Sequence, residues 1–149
     1  QQLAQLVADW QWPVPTRVVH SDFLRTTQTA AHVAARFGLV PSVDTRLRER
    51  NFGELEGLSD EHYPSIWAFD AEDAEHQHQG VEALSRVASR MQAVIGDWEQ
   101  QVSGEIILFV SHGDPLQILL TALAGKPLTS HREQTPLAPA SITLYGHGV

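Results

Sequence analysis

Apolar positions along this chain recur with two periods. Leu3, Leu6, Val7 and Trp10 follow i, i+3, i+4, i+7 spacing, so the sequence opens inside an amphipathic helix. No Ser, Thr, Asp or Asn precedes that helix as a cap, and residues upstream of Gln1 are therefore expected. WPVP ends the pattern, and residues 16–20 (TRVVH) predict a short β-branched strand. Ser21 reads as the N-cap of a helix over residues 22–37, with Leu24, Ala31, Ala34 and Ala35 as its apolar stripe and Gly38 as its stop. Residues 39–57 look extended and irregular. Ser59 is expected to cap a short helix interrupted by Pro64, and residues 71–80 to form an acidic, solvated loop. Leu84, Val87, Ala88, Met91, Val94, Ile95 and Trp98 mark the clearest amphipathic helix. It feeds the apolar run 106–110, which reads as a strand buried on both faces. Asp114 as N-cap and Pro115 as first helical residue start the next helix, which Gly125 closes. A last strand, SITLY at 141–145, follows a Pro-bearing link.

Strands alternating with helices predict a three-layer α/β sandwich with a mostly parallel sheet. At 149 residues the chain is long enough for one domain with a real core and short for two. Composition is that of a folded protein, with 42% hydrophobic and 19% charged residues. Eighteen acids against ten bases leave a formal charge of −8, which disfavours a nucleic-acid partner. There is no cysteine, so neither a disulfide framework nor a thiolate site is available, which fits a cytoplasmic setting. No apolar run approaches the roughly 20 residues that cross a bilayer, so no membrane association is expected.

Two strand-to-helix turns carry polar chemistry. HSDFLR puts Arg25 in the first turn of one helix, and VSHG puts His112 just ahead of another. If the two strands are parallel neighbours, a guanidinium, an imidazole and two helix N-termini converge on one sheet edge, a fit for an anion or phosphoryl group. Taken singly, Arg25 reads more readily as a solvated helix arginine, whereas His112 is balanced between a plain and a functional part.

SDFLRTTQTA, LRERNFGELEG and VSHGDPLQILL, in this order, resemble three of the four sequence blocks of the histidine phosphatase superfamily, which shares the phosphoglycerate-mutase-like fold. The resemblance implies that Arg25 and His112 hold the phosphoryl oxygens, with Ser21 and Gly113 also at the substrate. It implies that Glu49 protonates the departing oxygen and later activates water. Without the family, Glu49 is most simply a surface charge between Arg48 and Arg50. No metal or cofactor is expected.

The family's first block, Arg-His-Gly, is absent from all 149 residues, and its histidine is the family's nucleophile. In the family it lies upstream of the helix with which this chain opens, so the sequence reads as N-terminally incomplete and, as written, inactive or nearly so. Without its first strand the sheet would expose unpaired edges, to be covered by upstream residues, a rearranged segment or another chain, a homo-oligomer included. The resemblance thus implies a phosphomonoester hydrolase acting on a small molecule through phosphohistidine. A non-catalytic phosphate-binding protein and a phosphoglycerate mutase are the rivals. The short segment 58–80, where the family places its substrate cap, favours hydrolysis over transfer.

Other polar groups have plainer readings. Glu75, His76 and His78 suggest a metal site, but their surroundings look like solvated loop. His20 is expected to have a backbone partner, Glu82 to complement a helix dipole, and Gly53 and Gly57 to serve turns. Arg46, Arg48 and Arg50 read as a solvated face, with steering of an anionic substrate as the alternative.

Overall fold

A computed structural model describes residues 7–56, 58, 62–101 and 105–132. In chain order the elements are β1 (Arg17–His20), α1 (Leu24–Phe37), β2 (Ser42–Val43), α2 (Tyr63–Asp70), α3 (Leu84–Gln101), β3 (Ile107–Val110) and α4 (Gly113–Leu123), joined by turns and short 3-10 segments. The sheet is parallel, in the order β2-β1-β3, with Val19 opposite Ser42 and His20 opposite Val110.

Alternation along the strands builds three layers. Val18, Leu108 and Val110 pack with Ala30, Val33 and Ala34 of α1 on one face. Val19, Ile107 and Phe109 turn the other way, onto Leu84, Val87, Met91 and Val94 of α3 and Ile118 of α4. Fully burying a side chain such as Leu84 or Met91 is worth about 1.5–3 kcal/mol, so this second face carries most of the apolar burial. Leu47, fully buried in the same cluster, anchors the loop after β2 and thereby fixes the backbone two residues ahead of Glu49. A third cluster joins Phe52, Leu55, Ile66 and Val81, with the Tyr63 ring stacked 4.0 Å from that of Phe52.

The α/β architecture and parallel sheet match the sequence reading; several local assignments do not. β3 is packed on both faces, as expected, but its residues are half-buried rather than fully enclosed; among the described residues it pairs only with β1. The N-cap of α1 is Phe23, not Ser21, whose hydroxyl is engaged elsewhere. The N-cap of α4 is His112, so Asp114 and Pro115 lie inside the first turn. Pro64 does not interrupt α2 but sits at its start, where its missing N–H costs nothing. Gly53 does serve a turn: its φ is +56°, and a Cβ there would lie 2.4 Å from the carbonyl oxygen of Gln79 and the carbonyl carbon of Gly80. The predicted helix before Trp10 lies largely outside the described residues, and Ser59, Gly57 and the 141–145 strand wholly so. Among the described residues no helix is long and apolar enough to cross a membrane.

Candidate active site

The β1–β3 register brings both strands to a common edge, and the chain continues from it into Ser21 on one side and Ser111–His112 on the other. The Ser21 amide donates to the Val110 carbonyl at 3.2 Å, which ties the two turns together. Ser21 Oγ lies 2.9 Å from His112 Nε2 and 2.6 Å from Thr26 Oγ1, all three residues being buried. One imidazole nitrogen is thus committed to Ser21, and the other faces the cleft. Phe23 packs edge-on against the His112 ring at 4.8 Å and remains 40% exposed at the rim.

Glu49 comes from the loop after β2. Ser111 Oγ donates to the Leu47 carbonyl at 2.7 Å, and Arg48 forks onto the Asp22 carboxylate at 2.8 and 2.6 Å, so the loop is tied to both turns. Glu49 Oε1 accepts from the Arg50 amide at 3.0 Å, while Oε2 stands 4.0 Å from His112 Nδ1. Its side chain is only 25% exposed. Burial pushes its pKa up to about 7, and the Asp114 charge adds to the rise against the opposing pull of the Arg50 amide, Arg25 and Arg90. His112 is driven the other way, to about 4, by burial and then by the Arg25 and Arg90 charges. At neutral pH the pair is therefore a partly protonated acid beside a neutral imidazole.

Arg25 is exposed at the first turn of α1, and its charge lowers the pKa of both Glu49 and His112. No carboxylate among the described residues is hydrogen-bonded or ion-paired with it. Gly113 begins α4, and nothing lies within 4 Å of where a Cβ would project from it. The structure thus brings Glu49, Ser21 and His112 together at the sheet edge, with Arg25 near enough for its charge to act on both Glu49 and His112.

Several of the remaining polar candidates resolve differently from the sequence reading. Arg46, Arg48 and Arg50 are not a free solvated face: Arg46 pairs with Asp44 and Asp97, Arg48 with Asp22, and Arg50 is fully buried. Arg50 forks onto both oxygens of Asp70 at 2.7 and 2.8 Å, and the same carboxylate meets His76 Nε2 at 2.5 Å and His131 Nε2 at 3.0 Å. Burial raises the Asp70 pKa, but hydrogen bonds from Arg50 and His131 outweigh it and hold the carboxyl well below the ordinary range. His76 is therefore buried structure rather than solvated loop. Glu75 accepts from Ser85 and His78 stacks on Phe69, so the three do not form a metal cluster. His20 has the expected backbone partner, the Ser21 carbonyl at 2.6 Å. Glu82 does not serve a helix dipole; its carboxylate binds Arg90 and the Asn51 amide.

Three residues of the site escaped the sequence reading. Thr26 carries the relay to Ser21, Asp114 bears on Glu49, and Arg90 holds the Glu49 loop. Only Asp114, beside the SHG turn, had a local signal.

The sequence model of the histidine phosphatase superfamily (branch 1) matches residues 1–148. The chain belongs to the histidine phosphatase superfamily. Among curated members it is 32% identical over 128 residues to the "Probable phosphoglycerate mutase GpmB" of Yersinia pestis strain Pestoides F, a match covering 78% of this chain and 57% of that protein. The chain thus spans little more than half the length of the curated relatives it matches. Solved histidine phosphatases superpose closely. A mycobacterial glucosyl-3-phosphoglycerate phosphatase in complex with VO3 gives a TM-score of 0.76 at 28% identity, covering 93% of this chain and 72% of the other. The alpha-ribazole phosphatase of Shigella flexneri gives 0.63 at 25% identity, covering 89% and 66%.

Proposed function

We propose that the protein is a phosphomonoester hydrolase of small-molecule substrates, working through a phosphohistidine whose nucleophilic imidazole lies upstream of Gln1. The observation that carries this reading is the approach of Glu49 to His112 within reach of the Arg25 charge, with Glu49 raised to about 7 beside a neutral imidazole. An acid with a pKa near the working pH is suited to giving a proton and later taking one back. Arg25, with no carboxylate partner among the described residues, supplies a planar donor fork for phosphoryl oxygens. His112, oriented by Ser21 and Thr26, supplies a second donor, and the amides of Gly113 and the α4 start face the same anion.

The chemistry then balances in two steps. The upstream imidazole nitrogen forms a bond to phosphorus as the ester P–O bond breaks, and the Glu49 proton passes to the leaving oxygen. Glu49, now a carboxylate, takes a proton from water as that water attacks phosphorus, releasing inorganic phosphate and restoring both groups. An arriving dianion also favours the protonated forms of Glu49 and His112, so binding primes the acid.

Hydrolysis is favoured over transfer because the segment between Gly57 and Gly80 is short: within it α2 is a single eight-residue helix packed through Ile66 and Tyr63 onto the Glu49 loop. Little remains to retain a phosphorylated intermediate for return transfer. The test uses the full-length protein. Phosphate release from a panel of phosphomonoesters, with an acid-labile, base-stable phosphoenzyme trapped by rapid quench, is the expected result. Phosphate binding without turnover would instead assign a non-catalytic binding role, and interconversion of phosphoglycerates without net phosphate release would assign a mutase.

A further inference from the structure

All five N–H donors of Arg90 are spent around one loop. Nη1 donates to the carbonyls of Arg46 at 2.7 Å and Arg48 at 2.8 Å. Nη2 donates to the Glu49 carbonyl at 3.2 Å and to Glu82 Oε1 at 3.1 Å, and Nε to Glu82 Oε2 at 2.9 Å. Glu82 Oε1 in turn accepts from the Asn51 amide at 3.0 Å, and the Glu82 amide donates to the Asn51 carbonyl at 2.7 Å. One guanidinium–carboxylate pair therefore grips the backbone at 46, 48, 49 and 51, on both sides of Glu49. Arg90 itself projects from α3, whose apolar face is locked in the core through Val87, Met91 and Val94. We propose that Arg90, held by Glu82, is a positioning residue that fixes the Glu49 carboxyl in the cleft.

The geometry supports a role beyond general stability. The segment from Arg46 to Asn51 contains one 3-10 turn and no strand, so its carbonyls have few sheet or helix partners to satisfy them. Three of them meet Arg90 instead. With the backbone fixed, Glu49 Oε1 can accept from the next amide while Oε2 stays aimed at His112. A lysine at position 90 keeps the charge but lacks the planar fork that reaches several carbonyls at once. Around Glu49 the charged and titratable groups are Arg25 from α1, His112 and Asp114 from the β3–α4 turn, and Arg90 from α3. Only the last changes in Arg90→Lys, and its charge is retained.

The inference rests on the reading of Glu49 as the acid, yet its test needs no turnover. In Arg90→Lys, a ¹³C-detected titration of the Glu49 carboxyl is expected to fall by about one pH unit or more toward the ordinary glutamate range, as the loop loosens and water reaches the group. The His112 ring titration should stay in place. A Glu49 midpoint unchanged in folded Arg90→Lys overturns the proposal. Should that variant not fold, the unaltered protein still decides: the Arg50 and Asn51 amides are expected to exchange hydrogen as slowly as the α3 interior, and exchange at open-loop rates overturns the clamp. In the full-length protein, Arg90→Lys should slow turnover of esters with poor leaving groups far more than those with good ones, since only the former need the acid. A uniform loss across leaving groups indicates a merely structural part. A shifted Glu49 titration without any ester turnover refutes the hydrolase reading alone, and turnover with an unshifted titration refutes the clamp alone.

Discussion

Glu49 Oε2 lies 4.0 Å from His112 Nδ1 although the two residues come from different loops, and the environment moves their pKa values in opposite directions. Burial penalises charge on both, so it keeps a proton on the carboxyl and removes one from the imidazole. The result is a pair that carries little charge near neutral pH, with the Arg25 cation close by.

Holding Glu49 this way costs stability. Its folded-state pKa of about 7 exceeds the ordinary 4.5, so the folded chain keeps a proton that the unfolded chain releases between those values. The stabilising contribution is fully present below about pH 4.5 and lost as pH rises through about 7. Glu49→Gln removes the penalty and should raise stability at pH 8 by up to about 3 kcal/mol, read from urea denaturation at several pH values. No gain at pH 8 would mean that the carboxyl is well solvated.

Arg25 is exposed and makes no carboxylate pair among the described residues, so Arg25→Ala should leave the fold intact. Loss of charge-assisted bonds worth about 1.5–3 kcal/mol predicts roughly ten- to hundredfold weaker phosphate binding by calorimetry.

Asp70 is the shared acceptor of Arg50, His76 and His131, none of which can turn to solvent. Asp70→Asn takes from buried Arg50 its forked counter-charge, leaving only the Asp114 carboxylate at 3.7 Å, and should cost about 3–5 kcal/mol in denaturant unfolding. Because the Asp70 pKa is depressed, its contribution is present above the ordinary 3.8 and disappears as pH falls through its lowered value.

The turn at Gly53 presses on residues 79 and 80. Gly53→Ala combines a positive φ with a backbone clash and should destabilise by about 1–3 kcal/mol, whereas Gly113→Ala, with open space at its Cβ, should fold normally. Thermal melts of the two variants compare them directly.

The framework was legible where a local period decided it. The 16–20 and 106–110 runs are strands because β-branched and apolar residues fill both faces of a sheet packed between helices, and their parallel pairing placed Ser21 and His112 together as the turn motifs suggested. What failed depended on distant partners. RLRERN looks solvated in isolation, and burial of Arg50 is made tolerable by partners far along the chain: the Asp70 carboxylate, the Glu82 carbonyl and Asp114. Ser21 has the composition of a helix cap, but its hydroxyl does more by joining Thr26 to His112. Glu82 looks like a dipole partner for α3 until Arg90 and the Asn51 amide claim it.

The proposed function requires that Arg25, Glu49 and His112 hold one phosphoryl group between them. A crystal structure of the full-length protein with orthovanadate tests it most directly. The expected result is a single vanadate hydrogen-bonded to the Arg25 guanidinium and the His112 ring, with the Glu49 carboxyl beside its leaving-group oxygen. Vanadate bound away from these residues, or one that leaves Arg25 and His112 without contact, would contradict the account.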